Sequence, residues 1–309
     1  MERFENIARI SPEKLQHWID EGKDLVLIDT LPKEHFDKIH LQAAQNACIF
    51  KVSFMDEVKA MVADKSKAIV VYGADADTMD ALNAAEKLAL SGYSQVYALE
   101  GGISRCRSCG LTFQGTAPDL PEAPEQVLHL EDRNYKVDLE KSIVEWAGRN
   151  PNSKHHGTVQ LLKGDLKVLD GKISGTFDID MSSIKNINLE GDPLQPVLIN
   201  HLKSDDFFFV KMFPKATFTI QSAFPLKNPT FTTPNFEVFG VLDLRGVGAD
   251  LQFPATLNRL QNGQIAVEAH FDIDRTNWNI IYGSSRFFRH LGMHLVFDLI
   301  SFQVRIVAG

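Results

Sequence analysis

Two of the three cysteines have a spacing that redox and metal chemistry use. Cys106 and Cys109 form a C-x-x-C pair, whereas Cys48 lies alone in the apolar stretch NACIF. Such a pair serves as a redox dithiol or as half of a zinc site, but one pair without a second is weak evidence for a metal. A third interpretation is that the two thiols have no chemical role. For Cys48 we expect a place in the core.

A short loop after an apolar stretch is a second candidate for chemistry. The residues Ala68 to Tyr72 predict a buried strand, and Gly73-Ala74-Asp75-Ala76-Asp77 follows it, with Thr78 placed to cap a helix. The backbone N–H groups of such a loop, together with the start of the helix, can bind an anion. Asp75 and Asp77 add negative charge there, which disfavours an anionic ligand.

Polar residues in the second half give no catalytic or metal site. His155 and His156 are adjacent, and adjacent residues of a strand point to opposite faces, so the two cannot easily bind one ion. For Arg275 we expect a structural ion pair, with a contact to the head group of a ligand as the alternative. No catalytic triad and no pair of catalytic carboxylates can be recognised in this half.

The composition limits the partners of the chain. It has 309 residues and a net charge of -8, whereas nucleic acids and anionic membranes bind basic patches. The beginning, MERFENIARISPEK, lacks the apolar core of a signal peptide, and no stretch approaches the roughly 18 apolar residues of a spanning helix. We expect a soluble, cytoplasmic protein that binds no nucleic acid and is not an integral membrane protein.

The sequence changes character between its halves, which predicts two domains. In the first half, short apolar strands such as Leu25 to Ile28 and Gln95 to Leu99 alternate with helical patterns, which predicts an α/β fold around a mostly parallel sheet. Three prolines in GTAPDLPEAPEQ then indicate an extended linker. We place the first domain at 1–115, the linker at 116–132 and the second domain at 133–309.

After the linker, apolar and polar residues alternate with a period of two. The predicted inward positions are Ile173, Gly175, Phe177, Ile179 and Met181; Ala216, Phe218, Ile220 and Phe224; Ile265, Val267, Ala269, Phe271 and Ile273; and Phe302, Val304 and Ile306. This alternation predicts antiparallel strands. About eight such strands favour a closed up-and-down barrel that can enclose a ligand, and a β-sandwich is the alternative.

The motifs LVLIDT, KIHLQAA, IVVYG and LEGGI give the first domain, from about Ser11 to Phe113, a resemblance to rhodanese-like domains. The resemblance implies a sulfurtransferase fold whose catalytic cysteine directly follows the strand matching Ala68 to Tyr72. That position is Gly73 here, and a persulfide cannot form without a thiol. The arginine that the family tends to have after the residue matching Asp29 is also absent, since Thr30 and Leu31 follow it.

The same resemblance bears on the cysteine pair and on the role of the domain. Cys106 stands where the family tends to have a tryptophan, in a segment that the resemblance assigns to the terminal helix, whereas a redox pair is expected at a helix N-terminus. We therefore favour thiols without a chemical role for Cys106 and Cys109. We predict a domain without sulfurtransferase activity that recognises a protein partner.

From Tyr135 onward the chain resembles the YceI-like, or polyisoprenoid-binding, family of lipocalin-like barrels. The matching motifs are VEWAGRN, HHGTVQLLKGDL, FDIDMSSI, HLKSDDFFFVKMFPKATF, FGVLDLRG, FDIDRTNWNIIYG and FQVRIVA. The resemblance implies an antiparallel barrel whose long apolar interior holds a polyisoprenoid chain, a quinone tail or another amphiphile. Burial of one CH₂ group contributes about 0.8 kcal/mol, so apolar contact alone can hold such a tail.

We predict from the inward alternation that five aromatic residues contact the ligand: Trp146, Phe207, Phe218, Phe271 and Trp278. If the segment around FFF is extended, Phe208 cannot share a face with Phe207 and Phe209. We expect His201, Asp205 and Asp206 to cap a short helix from Pro196 to Leu202.

The leading hypothesis is a carrier or sensor without enzymatic activity. It has no metal and no cofactor other than a bound isoprenoid lipid or quinone, and its rhodanese-like domain is silent. One alternative is a sulfur or redox protein that uses Cys106 and Cys109. The other is a structural interaction protein whose barrel is filled by its own side chains.

Overall fold

The computed structural model describes residues 4–119, 128, 130–227, 232–260 and 262–309. The chain divides into two units, Met1–Gln126 and Val127–Gly309. Within the predicted linker, residues 120–127 and 129 lie outside the described residues.

The first unit contains a parallel sheet covered by helices, which confirms the predicted α/β class. Its strands are β1 Arg9–Ile10, β2 Leu25–Asp29, β3 His40–Leu41, β4 Gln45–Asn46, β5 Ala68–Tyr72, β6 Val96–Leu99 and β7 Phe113–Gln114. Its helices are α1 Pro12–Asp20, α2 Lys33–Phe36, α3 Phe54–Met61, α4 Asp80–Leu90 and α5 Gly102–Ser108. The sheet has the order β1-β6-β5-β2-β4 with parallel pairs throughout, and β3 pairs with β7 in a separate antiparallel ribbon.

Strand β5 lies at the centre of this unit. All five of its residues are buried because helices cover both faces of the sheet. Ile69 and Val71 pack in the core that contains α3 and α4, whereas Val70 and Tyr72 pack in the core that contains α1 and α5. The loop after β5 is therefore held by a strand that is buried on both faces.

The start of α4 differs from the prediction. Thr78 does not cap the helix, because α4 begins only at Asp80 and has Met79 at its N-cap, without a side-chain cap bond. Instead, the backbone N–H groups of Asp77 and Thr78 donate to the carboxylate of Asp75, at 2.8 and 3.1 Å. The Asp75 side chain thus closes a turn that delays the helix.

The second unit is a closed antiparallel barrel of eight strands, as predicted, and not a sandwich. The strands of this unit are β8 Asn134–Lys136, β9 Ile143–Arg149, β10 Lys154–Leu169, β11 Lys172–Asn186, β12 Lys215–Pro225, β13 Phe236–Leu244, β14 Val247–Arg259, β15 Ile265–Asp274 and β16 Leu299–Ala308. Each strand from β9 to β16 pairs with the next, and β16 pairs back with β9. The short β8 adds to the far part of β10.

Three further segments stand between the strands. Helix α6, Leu194–Lys203, lies between β11 and β12, and two 3₁₀ turns, Arg275–Trp278 and Gly292–His294, lie between β15 and β16. Strand β12 also departs from simple alternation, since its pairing with β13 shifts between Ile220 and Ser222. This bulge reverses the faces beyond it. Ala223 is therefore buried, and Phe224, predicted to face inward, is 54% exposed.

Candidate functional site

The barrel interior contains two adjacent cavities whose walls are mainly apolar. The larger, which we call the wide chamber, has a volume of about 290 Å³. The smaller, the narrow chamber, has a volume of about 130 Å³. The two share four lining residues, Val144, Ile179, Leu242 and Phe302. They are therefore neighbouring compartments of one barrel interior.

A row of four aromatic rings lines the narrow chamber and reaches the boundary with the wide one. The centroid distances along the row are 5.6 Å from Phe218 to Phe253, 4.1 Å from Phe253 to Phe271 and 5.8 Å from Phe271 to Phe302. The rings of Phe253 and Phe271 are stacked with only 9° between their planes. A Cβ atom on Gly240 of β13 would lie 2.7 Å from Cζ of Phe218, so this glycine makes room for the first ring.

Helix α6 and the turns after it supply another part of the wall of the wide chamber. Leu202 of α6 lines it together with Phe207 and Phe208, which are 7% and 8% exposed. The segment around Phe208 is not extended. The N–H of Phe208 donates to the Leu202 carbonyl and that of Phe209 to the Ser204 carbonyl, so the chain turns and both Phe207 and Phe208 reach the chamber.

The polar side chains of the wide chamber pair with other protein groups. Arg275 is 1% exposed, and its guanidinium donates to the carbonyls of Ile280, Val296 and Phe297 and pairs with Asp298 at 3.4 Å. Burial lowers the pKa of Arg275, and the Asp298 carboxylate opposes this effect. The expected structural ion pair is therefore present.

A second polar group of this chamber centres on His201. Its Nε2 atom lies 3.1 Å from Oδ2 of Asp206, so His201, in the last turn of α6, pairs with a residue just beyond the end of the helix. The His201 ring also meets the edges of two aromatic rings, those of Phe207 at 4.9 Å and Tyr282 at 4.7 Å.

The five predicted ligand residues occupy different places. Trp146 and Phe207 line the wide chamber, and Phe218 and Phe271 line the narrow one. Trp278 lines neither, because it belongs to the 3₁₀ turn after β15 and not to a strand, so the inward alternation does not apply to it. It is fully buried, and its indole N–H donates to the Leu242 carbonyl at 2.8 Å.

Trp146 differs from Trp278 in its hydrogen bonding. It is 8% exposed, and its Nε1 atom is buried with no hydrogen-bond partner in the described part of the chain. Buried indole N–H groups usually have a partner. The candidate site therefore has an unpaired donor on one of its lining residues.

Sequence reasoning missed several lining residues. Phe208 is excluded from the face of its neighbours only in an extended segment, and here the chain turns. Phe302 carried a usable signal, since it lies in the predicted inward series of the last strand, where it pairs with both Phe271 and Trp146. Leu198 and Leu202 could not be found from a strand period because they lie on a helix.

The loop at Gly73 is occupied by the chain's own side chains. A Cβ atom on Gly73 would lie 2.6 Å from Cβ and 2.8 Å from Oδ2 of Asp80. The same carboxylate accepts from the Ala74 N–H at 3.5 Å, and the Asp75 carboxylate accepts from the next two N–H groups along the turn. Side-chain carboxylates thus hold the donors that an anionic ligand of this loop would need.

Asp29, at the end of β2, is fully buried beside this loop. Its Oδ1 accepts from the Leu31 N–H at 2.8 Å, whereas its Oδ2 has no partner among the described residues. Burial raises the pKa of Asp29 to about 7 and the charge of Asp80 adds to the rise, whereas the Leu31 N–H and the nearby Tyr72 hydroxyl oppose it.

The cysteines are free thiols in different surroundings. Cys106 is fully buried on α5, and burial raises its pKa to about 12. Cys109 is half-buried, and its thiol donates to the Glu13 carboxylate at 3.2 Å. Cys48 is 5% exposed, in the core as expected. Across the described residues, no three His, Cys, Asp or Glu side chains are grouped to hold a metal ion. The helices described for this chain are all too short or too polar to span a membrane.

Two family models match the chain. The model of the rhodanese-like domain matches residues 11–109, and the model of the YceI-like domain matches residues 135–308. A comparison with curated proteins found no match.

Similar solved structures exist for each part of the chain. Burkholderia cenocepacia BcnA is 21% identical, with 56% of this chain and 99% of that chain covered and a TM-score of 0.45. A polyisoprenoid binding domain from Saccharophagus degradans is 14% identical, covering 56% and 97%, with a TM-score of 0.41. The BH2092 protein from Bacillus halodurans is 24% identical, covering 35% and 77%, with a TM-score of 0.32. Since the YceI-like model matches more than half of the residues, the chain belongs to the YceI-like family and carries a rhodanese-like domain before its barrel.

Proposed function

We propose that this chain is a non-enzymatic carrier or sensor that holds an amphiphilic lipid, such as an isoprenoid quinone or a polyisoprenoid, in its barrel. Membership of the YceI-like family supports a lipid-binding barrel. The observation that carries the proposal is the wide chamber, an apolar space of about 290 Å³ that the chain's own side chains leave unfilled.

The apolar wall of the wide chamber supports an apolar occupant. Each CH₂ group that a tail buries against this wall contributes about 0.8 kcal/mol. The unpaired N–H of Trp146 supports a ligand that also carries an oxygen acceptor. These two features together favour an amphiphile over a pure hydrocarbon.

The alternatives have less support. A barrel filled by its own side chains is at odds with both chambers. A redox role for the cysteine pair needs a thiolate near neutral pH, but burial raises the pKa of Cys106 to about 12. The free thiols agree with a reducing compartment such as the cytoplasm, which cell fractionation can test.

The test of lipid binding uses the full chain. Native mass spectrometry and organic extraction should reveal a bound lipid in freshly purified protein, and the delipidated protein should bind an added short-tail isoprenoid quinone. The variant Ala216→Phe fills the wide chamber from β12, where Ala216 is 2% exposed, and should lose this binding. Protein that contains no lipid and binds no quinone would overturn the proposal.

We also propose that the rhodanese-like domain is catalytically silent and docks a protein partner. Two observations support the lack of catalytic activity. Gly73 has no side chain, and the carboxylates of Asp80 and Asp75 accept hydrogen bonds from the N–H groups of the loop. The test compares the chain with a variant in which all three cysteines are replaced by serine, in the presence of thiosulfate and cyanide. The two should form thiocyanate at the same background rate, and faster formation by the unaltered chain would show activity.

A further inference from the structure

We infer that the row Phe218, Phe253, Phe271 and Phe302 limits the length of the tail that the barrel accepts, and that Phe302 is the ring that controls passage. The inference rests on the proposed function, because it concerns which lipids the same interior holds.

The row lines the narrow chamber and ends, at Phe302, at the boundary with the wide chamber. Phe218 and Phe271 line only the narrow chamber, as does Phe253, whereas Phe302 lines both. The rings come from β12, β14, β15 and β16, which are four of the eight barrel strands, and successive centroids are no more than 5.8 Å apart. Phe302 is therefore the ring of this row that a tail passing from the wide chamber into the narrow one meets first.

The two chambers differ in polarity, which orients the ligand. The wide chamber is lined in part by polar side chains such as His201, Tyr282 and His294. All of the residues that line the narrow chamber are apolar. A head group is thus favoured in the wide chamber, and the narrow chamber suits only the end of a tail.

The volume of the wide chamber sets the length that fits without rearrangement. A protein cavity of about 150 Å³ holds one benzene molecule, so 290 Å³ holds on the order of ten to twelve carbon atoms. The further carbons of a longer tail, such as that of a polyisoprenoid, enter the narrow chamber only if a ring moves, and they otherwise stay outside the two chambers.

The rings are not equally free to move. Phe271 is stacked on Phe253 and also contacts Phe302, so a rotation of Phe271 breaks two aromatic contacts. Phe302 stands at the end of the row and contacts only one other ring of the row. The smallest change that joins the chambers is therefore a movement of Phe302.

The test measures the affinity of delipidated full-length protein for straight-chain primary alcohols of six to sixteen carbons. For the unaltered chain, the Kd should fall about fourfold for each added CH₂ group and then become constant near ten to twelve carbons. In Phe302→Ala the chambers are joined, so the Kd should continue to fall for several more carbons. Phe302→Leu makes a smaller opening, so the chain length at which the Kd becomes constant (the break) should also increase. This second variant keeps the test valid if the alanine variant does not fold.

The matched control is Phe224→Ala, which removes an exposed ring from the outer face of β12 and should reproduce the curve of the unaltered chain. A Kd that falls steadily to sixteen carbons in the unaltered chain would overturn the length limit while lipid binding stands. A break that stays in place in both Phe302 variants would overturn the role of Phe302. Failure of every alcohol to bind at any length would instead count against the proposed function.

Discussion

Replacing Asp29 by Asn should stabilise the first unit at alkaline pH and leave its stability unchanged near pH 4. The pKa of Asp29 is raised from 3.8 to about 7 in the folded chain. Below pH 4 the carboxyl is protonated in both states. Between about pH 4 and pH 7 the unfolded state loses its proton first, so the unaltered chain loses stability as the pH rises. At 1.36 kcal/mol per pKa unit, the loss approaches about 4 kcal/mol at pH 8.

Asparagine is a close match for the protonated acid. Its amide oxygen can accept from the Leu31 N–H, as Oδ1 does now. Its NH₂ group takes the place of the acid hydroxyl, and the nearby Tyr72 hydroxyl oxygen can accept from either group, so the exchange changes the hydrogen bonding little. At pH 8 the free energy of unfolding of the variant should therefore be higher than that of the unaltered chain by up to about 4 kcal/mol.

The assay is equilibrium urea unfolding of the full chain at pH 4.5, 6 and 8, followed by hydrogen exchange of peptides from β2 and β5. These strands flank the carboxyl and belong to the first unit alone. The control is Asp56→Asn, which removes an exposed carboxylate from α3 of the same unit. Parallel stability curves for Asp29→Asn and the unaltered chain across this pH range would refute the reasoning.

Three further predictions concern tryptophan, cysteine and glycine residues. Trp278→Phe should lower the free energy of unfolding by about 1 kcal/mol more than Trp146→Phe in urea denaturation, because only the first removes a hydrogen bond; equal losses would contradict this. At pH 8 a thiol reagent should modify Cys109 well before Cys106, as followed by peptide mass spectrometry, and equal rates would show that burial does not protect Cys106. Gly73→Cys should lower the unfolding midpoint, at a cost of about 1–3 kcal/mol, because its Cβ meets a carboxyl side chain, and an unchanged thermal midpoint would argue against that crowding.

Hydrophobic patterning predicted the fold closely where the chain is regular. The strand predicted from Ala68 to Tyr72 is β5 with the same ends, and the period of two in the second half gave the inward positions of β15 from Ile265 to Ile273. Such positions follow from the alternation of side chains along a strand and need no knowledge of the neighbours. The closure of the barrel is different, because it depends on the pairing of β16 with β9, which are far apart in the sequence.

The candidate site was less predictable because much of its wall is irregular. A single bulge in β12 turned Phe224 outward. The turns after α6 brought Phe208 to the wide chamber, and a 3₁₀ turn took Trp278 away from it. Each of these outcomes depends on local hydrogen bonding in a short segment. The spacing of apolar residues along the sequence does not predict such hydrogen bonds.

The two units differ in what occupies the space where chemistry or binding would take place. In the loop at Gly73, the Asp80 side chain stands 2.6 Å from the position of a missing Cβ, so a nucleophile cannot be added without moving it. In the barrel, by contrast, space is left for a further group. Gly240 makes room for the ring of Phe218, and four rings pack in a row along the narrow chamber, yet the wide chamber beside them stays open. Protein interiors otherwise pack closely, and the residues around this chamber include alanine at position 216 where a larger side chain would fill it. An interior that is crowded in one part and open in another agrees with the proposed lipid binding, in which a ligand supplies the missing contacts.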